Sequence, residues 1–247
     1  MITKIEFEEY CRTHNLRYKF EHENIHEEFV LKYNWNFNNL FSILCCYGYV
    51  ETIKWLVEIS KENGEIINIH ANDEEAFIYS CKYGKIEVAK WLIKISKENG
   101  ERINIHAHNE GAFIMSCFKG YLEIAKLLME ISKENGEIIN IHINREEAFR
   151  LSCWNKHIEI AKWLMKISKE NGKIINIHVF DEVAFRYSCK WNNLEIAKWL
   201  CSLCDEYYIK IEDNKIVKYG IRNMYDKYLD ENKGIKKVIK RLQLKVI

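Results

Sequence analysis

The sequence contains no proline among its 247 residues, and no long uninterrupted run of apolar residues. Without proline, no helix can begin on a residue whose backbone is fixed in advance. No apolar stretch approaches the roughly 18 residues that a membrane-spanning helix needs. The first residues include early glutamates and no apolar core, so we expect no secretory signal. The formal net charge of +1 gives no overall attraction to nucleic acid or to anionic membranes.

The usual motifs of catalysis are also missing from the chain. It has no nucleophile elbow of the Gly-x-Ser-x-Gly type, no phosphate-binding glycine loop and no His-Glu-x-x-His zinc motif. The many glutamates recur at a fixed spacing, as expected for helix starts and surface ion pairs. We therefore predict a protein that is not an enzyme, with no metal, no cofactor and no small-molecule substrate.

What the chain does contain is a repeat. The stretch Ile-Ser-Lys-Glu-Asn-Gly begins at Ile59 and returns every 36 residues, at Ile95, Ile131 and Ile167. Each copy leads into Asn-Ile-His, then Ala-Phe, then Ser-Cys, so that histidine, phenylalanine and cysteine recur in register. A fixed period of 20 to 50 residues is the signature of a solenoid or array. These recurrent residues are His70, His106, His142 and His178, Phe77, Phe113, Phe149 and Phe185, and Cys81, Cys117, Cys153 and Cys189.

The pattern inside one repeat predicts a helix, a turn, a second helix and an extended arm. Asn72, followed by acidic residues, is expected to cap the first helix, where free N–H groups favour such side chains. This helix should turn Phe77 inward and end near Gly84. A second helix with a wide apolar face follows and stops at Gly100. Residues 102–106 alternate between polar and apolar, which is typical of an extended arm.

This repeat resembles an ankyrin repeat. The family pattern Thr-Pro-Leu-His-x-Ala-Ala-x-x-Gly-His-Leu-Glu-Val-Val-Lys-x-Leu-Leu aligns with residues 75–93, and the match is most specific in the second half. The residues that carry it are Gly84, Ile86, Glu87, Val88, Ala89, Lys90 and Leu92. The resemblance covers about residues 36–204 and implies an all-α repeat solenoid of helix–turn–helix units with β-hairpin-like arms. It also implies a binding module rather than a catalyst.

Three departures from the family pattern distinguish this repeat. Its period of 36 residues exceeds the usual 33 or so, with the extra length between the second helix and the arm. The Thr-Pro and His positions hold Glu-Ala and Ile or Arg. The turn glycine becomes Lys156 and Asn192 in the last two repeats; Asn tolerates positive φ, and Lys156 predicts a strained or altered turn. This longer, proline-free repeat most resembles the ankyrin proteins of giant DNA viruses (mimivirus-like), which implies an intracellular location in host cytoplasm.

The repeat divides the chain into consecutive segments, with a cap expected at each end because terminal repeats need a different outer face. Residues 207–219 should form a β-hairpin, and two helices should follow near 221–230 and 234–243. The predicted segments are a cap at 1–33, a degenerate repeat at 34–69, repeats at 70–105, 106–141 and 142–177, a partial repeat at 178–206, and a hairpin and helical cap at 207–247.

The histidine and cysteine ladders are the obvious candidates for metal sites. Side chains from stacked repeats lie several Å too far apart to share one zinc ion, so we expect histidines that pack or hydrogen-bond between arms. The four repeated cysteines should be reduced core thiols. Cys201 and Cys204 match Cys-x-x-Cys, but no second pair follows; burial at the chain end is favoured over redox or metal chemistry.

A partner-binding surface is predicted at the repeat positions that vary, since folding does not dictate them. In ankyrin proteins the equivalent first-helix and arm-tip positions line the concave binding face, and aromatic residues with Arg and Lys resemble binding hot spots. Some of these aromatics could instead fill grooves between repeats. The candidates are Tyr79, Lys82, Tyr83, Met115, Phe118, Lys119, Leu151, Trp154, Tyr187, Lys190 and Trp191 on first helices, and Asn72, His108, Arg145 and Phe180 at arm tips.

The preferred function is a scaffold that binds another protein, a host protein if the viral resemblance holds. One alternative is an adaptor that delivers a partner to host ubiquitin ligase machinery, as some viral ankyrin proteins do. Another is binding of nucleic acid or lipid by residues 233–245, where basic side chains, among them Lys236, Lys237, Lys240 and Arg241, surround an apolar stripe. A capping helix explains the same stripe, and nucleic acid and membrane rank below a protein as partners.

Overall fold

The computed structural model describes residues 37–222, with positions 63 and 65 excepted. The cap predicted at 1–33 lies outside the described residues. So do the two helices predicted near 221–230 and 234–243, apart from positions 221 and 222.

Helices dominate the described part of the chain, and a two-stranded antiparallel sheet follows them. The helices are α1 (Phe37–Tyr47), α2 (Val50–Glu62), α3 (Ala71–Lys82), α4 (Ile86–Glu98), α5 (Ala107–Lys119), α6 (Leu122–Glu134), α7 (Ile143–Trp154), α8 (Ile158–Glu170), α9 (Val179–Lys190) and α10 (Leu194–Leu203). The strands are β1 (Tyr207–Glu212) and β2 (Lys215–Ile221).

The chain divides into two compact units, which we call the N-terminal unit (1–143) and the C-terminal unit (144–247). In the N-terminal unit the first helices α1, α3 and α5 pack side by side, and each first helix packs on its own second helix. In the C-terminal unit α9 packs on α10, and the sheet contacts both. The fold class is therefore the all-α repeat solenoid that the sequence predicts.

Each first helix buries one phenylalanine and one cysteine, and each second helix buries an alanine and a leucine, or in α2 an isoleucine and a leucine. Burial raises the pKa of Cys81 and of Cys189 to about 12, so both stay protonated. All cysteines of the described residues are free thiols. The prediction that the repeated cysteines are core thiols is confirmed.

The segments between repeats are extended, as the alternating sequence predicts. Ile103 and Ile105 are buried, whereas Arg102 and Asn104, which alternate with them, are exposed. No strand pairing forms in these arms; within the described residues the two strands of the C-terminal hairpin are the sheet structure. The arm is thus held by its two buried isoleucines and by a hydrogen bond from the Asn104 N–H to the Glu74 side chain.

The start of the first helix differs from the prediction. Asn72 does not cap the helix, because Asn72, Asp73 and Glu74 all lie in the left-handed region, at φ 53°, 54° and 68°. The same three-residue left-handed turn recurs at 108–110, 144–146 and 180–182. Asparagine and aspartate tolerate this region, but glutamate does so only at a cost of order 1 kcal/mol. A contact must therefore hold the glutamate there.

The turn between the two helices of a repeat also needs a left-handed residue. Gly84 and Gly120 supply it in the N-terminal unit, at φ 73° and 87°. In the C-terminal unit Lys156 and Asn192 adopt φ 68° and 53° instead. Lys156 thus keeps the left-handed backbone of the glycine that it replaces, which is the strained form of the two that the sequence predicts.

Replacing Lys156 by glycine is expected to stabilise the C-terminal unit by about 1 kcal/mol, because glycine removes the left-handed penalty. Urea unfolding of the full chain, followed by circular dichroism, measures the gain. Asn192→Gly is the comparison variant: asparagine tolerates positive φ, so glycine relieves less strain there, and it also removes the side chain that bonds the hairpin, so no gain is expected. An equal gain in both variants, or none in Lys156→Gly, would contradict this account.

The predicted hairpin is present and packs on the last repeat. Asp213 and Asn214 form its tight turn with positive φ, and Phe185 stacks on Tyr207 at 4.1 Å between ring centroids. Asn192 accepts the Ile216 N–H at 2.8 Å and donates to the Asn214 carbonyl at 3.3 Å. The residue that replaces the turn glycine therefore anchors the hairpin.

None of the helices in the described part of the chain has the length and apolarity that crossing a membrane requires.

Candidate partner-binding surface

Every residue predicted to contact a partner is at least partly accessible. The exposed ones are Asn72, Tyr83, His108, Lys119, Arg145, Trp154, Phe180, Lys190 and Trp191. The partly exposed ones are Tyr79, Lys82, Met115, Phe118, Leu151 and Tyr187. The structure therefore leaves these side chains available, and it groups most of them into aromatic–cation clusters within each unit.

In the N-terminal unit the first cluster lies at the end of α3. Tyr79 and Tyr83 meet edge to face at 6.3 Å between centroids, and the Lys82 ammonium lies 5.6 Å from the Tyr79 ring and 5.3 Å from the Tyr83 ring. Burial, followed by the charge and hydrogen bond of Glu75, raises the pKa of Tyr79. The phenol is therefore neutral at physiological pH and can donate a hydrogen bond.

A smaller cluster lies at the end of α5, also in the N-terminal unit. The Lys119 ammonium sits 4.9 Å from the centroid of the Phe118 ring. At the arm tips, His108 Nε2 lies 3.6 Å from an oxygen of Asp73. Neighbouring repeats are thus in contact at their tips, through side chains that the sequence predicted to vary freely.

The C-terminal unit carries the largest cluster. Trp154, at the end of α7, stacks on Tyr187 of α9 with 4.7 Å between centroids and 8° between ring planes. Lys190 lies 5.9 Å from the Tyr187 ring and 5.7 Å from the Trp191 ring. Trp154 remains 46% exposed and Trp191 52% exposed. Trp154 therefore both fills the groove between two repeats and presents apolar surface to solvent.

Two arginines flank Phe180 at the arm tip of the C-terminal unit. The guanidinium carbons of Arg145 and Arg150 lie 5.1 Å and 4.5 Å from the ring centroid. Arg150 also donates from Nε to the Arg145 carbonyl at 2.8 Å and from a terminal nitrogen to the Asn144 carbonyl at 3.0 Å. These bonds fix the Arg150 side chain in one orientation.

Sequence reasoning missed Arg150 and its counterpart Arg186. The repeat position that they occupy holds Ile78 and Ile114 in the N-terminal unit, so the change was visible in the sequence. It also missed an exposed isoleucine at the first residue of the arm in three of the repeats, at Ile66, Ile138 and Ile174; Ile66 is 83% exposed and Ile138 is 82% exposed. This isoleucine lies outside the predicted surface.

The histidine ladder is structural, as the sequence predicted. His70 Nδ1 lies 2.8 Å from Glu74 Oε1, and the same oxygen accepts the backbone N–H of Asn104, in the next arm, at 2.9 Å. His106, Glu110 and Asn140 repeat this arrangement, with 2.9 Å from His106 Nδ1 to Glu110 and 3.0 Å from Asn140 N to Glu110.

The glutamate of this arrangement is the contact that holds the left-handed turn. Glu74 is 4% exposed and Glu110 is 5% exposed. A buried carboxylate without partners is costly, whereas one that accepts hydrogen bonds from a histidine and a backbone N–H is stabilised. We call the histidine, the glutamate and the N–H of the next arm the arm clamp. The sequence pattern predicted these glutamates only as acidic residues of a helix start; it did not predict their contact with the following repeat.

In the last repeat a tyrosine takes the place of the next arm. Glu182 is hydrogen-bonded to His178 Nδ1 at 2.9 Å and to the hydroxyl of Tyr207, the first residue of β1. Burial, and then the hydrogen bond and charge of Glu182, raises the pKa of Tyr207 well above its ordinary value. Tyr207 therefore stays protonated and donates a hydrogen bond to Glu182, which completes the arm clamp.

The pKa of His106 is expected to fall when Glu137 is replaced by glutamine. Burial alone lowers this pKa, but the hydrogen bond and charge of Glu110, together with Glu137 at 3.2 Å from Nε2, raise it above the ordinary value of about 6.5. A raised folded-state pKa contributes stability below the unfolded pKa, and that stability is lost as pH rises through the folded pKa.

Titration of the His106 ring by NMR, in wild type and in Glu137→Gln, measures this effect. Glu130→Gln, an exposed change on α6, is the matched control and should leave the His106 titration unchanged. A pKa that stays the same in Glu137→Gln would contradict the role given to Glu137.

Within the described residues, no group of three or more His, Cys, Asp or Glu side chains is placed to hold a metal ion. Cys201 lies on α10 and Cys204 at its end, and both are free thiols. Burial, together with the charge of Cys204, raises the pKa of Cys201. This disfavours the thiolate that redox or metal chemistry requires.

Comparison with known families agrees with the geometry. Residues 40–141 match the family model for ankyrin repeats, in three copies. No curated protein matches the chain. Ankyrin repeats are therefore found in this chain, and ankyrin repeats generally mediate interactions between proteins.

Proposed function

We propose, from the premise that residues 40–141 carry ankyrin repeats, that this protein is a non-catalytic scaffold that binds a partner protein. In each unit the proposed binding surface is formed by the first helices and the arm tips of that unit, which are the positions that line the concave face in ankyrin proteins. Its candidate residues are the fifteen variable positions named above. The single observation that carries the proposal is the Trp154–Tyr187 stack with Lys190 and Trp191 beside it.

This cluster has the properties of a binding hot spot. Tryptophan, tyrosine and arginine dominate such spots, because large rigid side chains bury much area at small entropic cost. Trp154 and Tyr187 are already stacked on each other, so their side chains lose little further conformational entropy when a partner binds. About half of each tryptophan is still exposed, which leaves apolar area for a partner to cover.

The proposed segments of the chain remain those that the repeat predicts, with boundaries at 34, 70, 106, 142, 178 and 207. The ligase-adaptor role and the binding of nucleic acid or lipid rest on 1–33 and 233–245, which lie outside the described residues. They stay predictions of the sequence, as do the viral origin and the cytoplasmic location.

Affinity purification from cell extract tests the proposal, with wild type compared with a Trp154→Ala/Trp191→Ala variant. We expect a protein that wild type recovers and the variant loses, with a fall in affinity of about tenfold or more for the purified pair. The matched control is Ile138→Ser/Ile174→Ser, which removes exposed apolar side chains elsewhere.

The helical content of all three proteins is compared by circular dichroism before the binding experiment. Loss of the partner in the isoleucine variant and not in the tryptophan variant would move the site away from the first helices. Recovery of no specific protein by wild type would remove the support for a scaffold.

A further inference from the structure

The two units differ in the charge of their first-helix faces. At the repeat position of Ile78 and Ile114 in the N-terminal unit, the C-terminal unit has Arg150 and Arg186. At the arm tip, the C-terminal unit has Arg145 where an earlier repeat has an aspartate, Asp73. Arg145, Arg150 and Arg186 therefore add positive charge to the C-terminal unit, although its last repeat has Asp181 at the position of Asp73 and the N-terminal unit has cations of its own at Lys82 and Lys119.

Part of this charge is not neutralised. Arg186 pairs with Asp181 at 3.0 Å, whereas Arg145 and Lys190 form no ion pair within the described chain. Glu182, the carboxylate next to Asp181, is already hydrogen-bonded to His178 and Tyr207. An exposed cation beside an aromatic ring and without a carboxylate is available to a partner's carboxylate.

We propose that this surface, which we call the cationic surface (Arg145, Arg150, Trp154, Tyr187, Lys190 and Trp191), binds an acidic, extended segment of the partner protein. The proposal rests on the proposed function and specifies the chemistry of the partner. Carboxylates of the segment meet Arg145 and Lys190, and its apolar side chains cover the exposed parts of Trp154 and Trp191.

The geometry of the helices suits an extended chain. Arg150 and Trp154 are four residues apart on α7, and Tyr187 and Lys190 are three apart on α9, so each pair lies on one helix face. The Trp154–Tyr187 stack joins the two faces. Neighbouring helices lie about 8–10 Å apart, and an extended chain advances about 3.3 Å per residue. Every third residue of the segment can thus meet the next repeat.

The arrangement of the rings favours a peptide over single-stranded nucleic acid. Trp154 and Tyr187 face each other almost in parallel, so each has one face already covered. The Phe180 ring is likewise occupied by two guanidinium groups. Nucleic acid binding also needs more unpaired cations than Arg145 and Lys190 supply, since its affinity grows with the number of phosphates neutralised.

Fluorescence anisotropy with the full chain tests the proposal. The probe is a labelled twelve-residue peptide with glutamate at every third position and apolar residues between; the comparison peptide carries glutamine instead. We expect the acidic peptide to bind at least about tenfold more tightly, and its affinity to fall as salt is raised. Arg145→Glu/Lys190→Glu should weaken its binding by about tenfold or more.

Lys173→Glu is the matched control, because Lys173 is an exposed cation of the same unit that lies outside the cationic surface. It should change the affinity by less than about twofold. Equal binding of the glutamine peptide, no binding of the acidic one, an equal loss in Lys173→Glu, or tighter binding of a twelve-nucleotide oligothymidine would each overturn the proposal.

The same variants separate this proposal from the proposed function. A partner lost by Trp154→Ala/Trp191→Ala but retained by Arg145→Glu/Lys190→Glu would keep the scaffold and reject the acidic segment. A partner retained by both variants would reject both proposals.

Discussion

Replacing Glu110 by alanine is expected to destabilise the N-terminal unit by about 3 kcal/mol. Its carboxylate, 5% exposed, holds the His106 ring and the backbone N–H of Asn140 in the next arm. Alanine leaves that part-buried N–H without its acceptor and the histidine without its nearest partner, while the left-handed backbone strain at φ 63° remains.

Urea unfolding of the full chain measures the loss, and hydrogen exchange at the Asn140 amide locates it. Glu110→Gly is the informative control, because glycine also loses the carboxylate but relaxes the strain. It should recover about 1 kcal/mol of the loss and no more. Full recovery by glycine would mean that the carboxylate contacts contribute nothing to stability.

Replacing Gly84 by alanine is expected to cost about 2–3 kcal/mol for two reasons that act together. Its φ of 73° is strained for any residue with a Cβ, at about 1–2 kcal/mol. The added Cβ would also lie 2.6 Å from the ring of Tyr121, an exposed side chain that must move away, which adds about 1 kcal/mol, the lower end of overpacking costs.

The variant Gly100→Ala separates the cost of backbone strain from the cost of the clash with Tyr121. Gly100 has a similar φ of 79°, but nothing lies within 4 Å of the position where its Cβ would be, so only the strain should appear. Gly84→Ala combined with Tyr121→Ala should show a coupling that offsets the clash. Chemical denaturation of wild type, the single variants Gly84→Ala, Gly100→Ala and Tyr121→Ala, and the double variant gives these values. An equal cost at Gly84 and Gly100 would rule out the clash.

The repeat and its two helices could be predicted from the sequence because apolar residues recur with helical spacing and because Gly84 and Gly120 end first helices. The left-handed turn at 72–74 could not. Asn72 followed by acidic residues matches a helix start, and the residues that decide otherwise, such as Asn104, lie thirty positions along the chain. Local propensity was overridden by a contact between repeats.

The candidate surface could be predicted only as a set of variable positions. A repeat position at which the residue varies is one where folding does not require a particular side chain. The fifteen side chains predicted on this basis are all exposed or partly exposed. Their grouping depends on rotamers and on the approach of neighbouring helices, as with Trp154 and Tyr187. Arg150 was not among the predicted residues, although the change from isoleucine to arginine at its repeat position is present in the sequence.

The arm clamp has a consequence for how this array can lengthen. Glu74 accepts a hydrogen bond from the Asn104 N–H, and Glu110 accepts one from the Asn140 N–H, at nearly the same distance. A duplicated 36-residue segment inserted inside the array would therefore carry both an arm N–H for the preceding glutamate and a glutamate for the following arm. At Glu182, the corresponding acceptor of the last repeat, the hydroxyl of Tyr207 already takes the place of the next arm's N–H. Gene duplication can therefore add copies inside the array without new mutations, whereas growth past position 206 first requires the loss of that tyrosine.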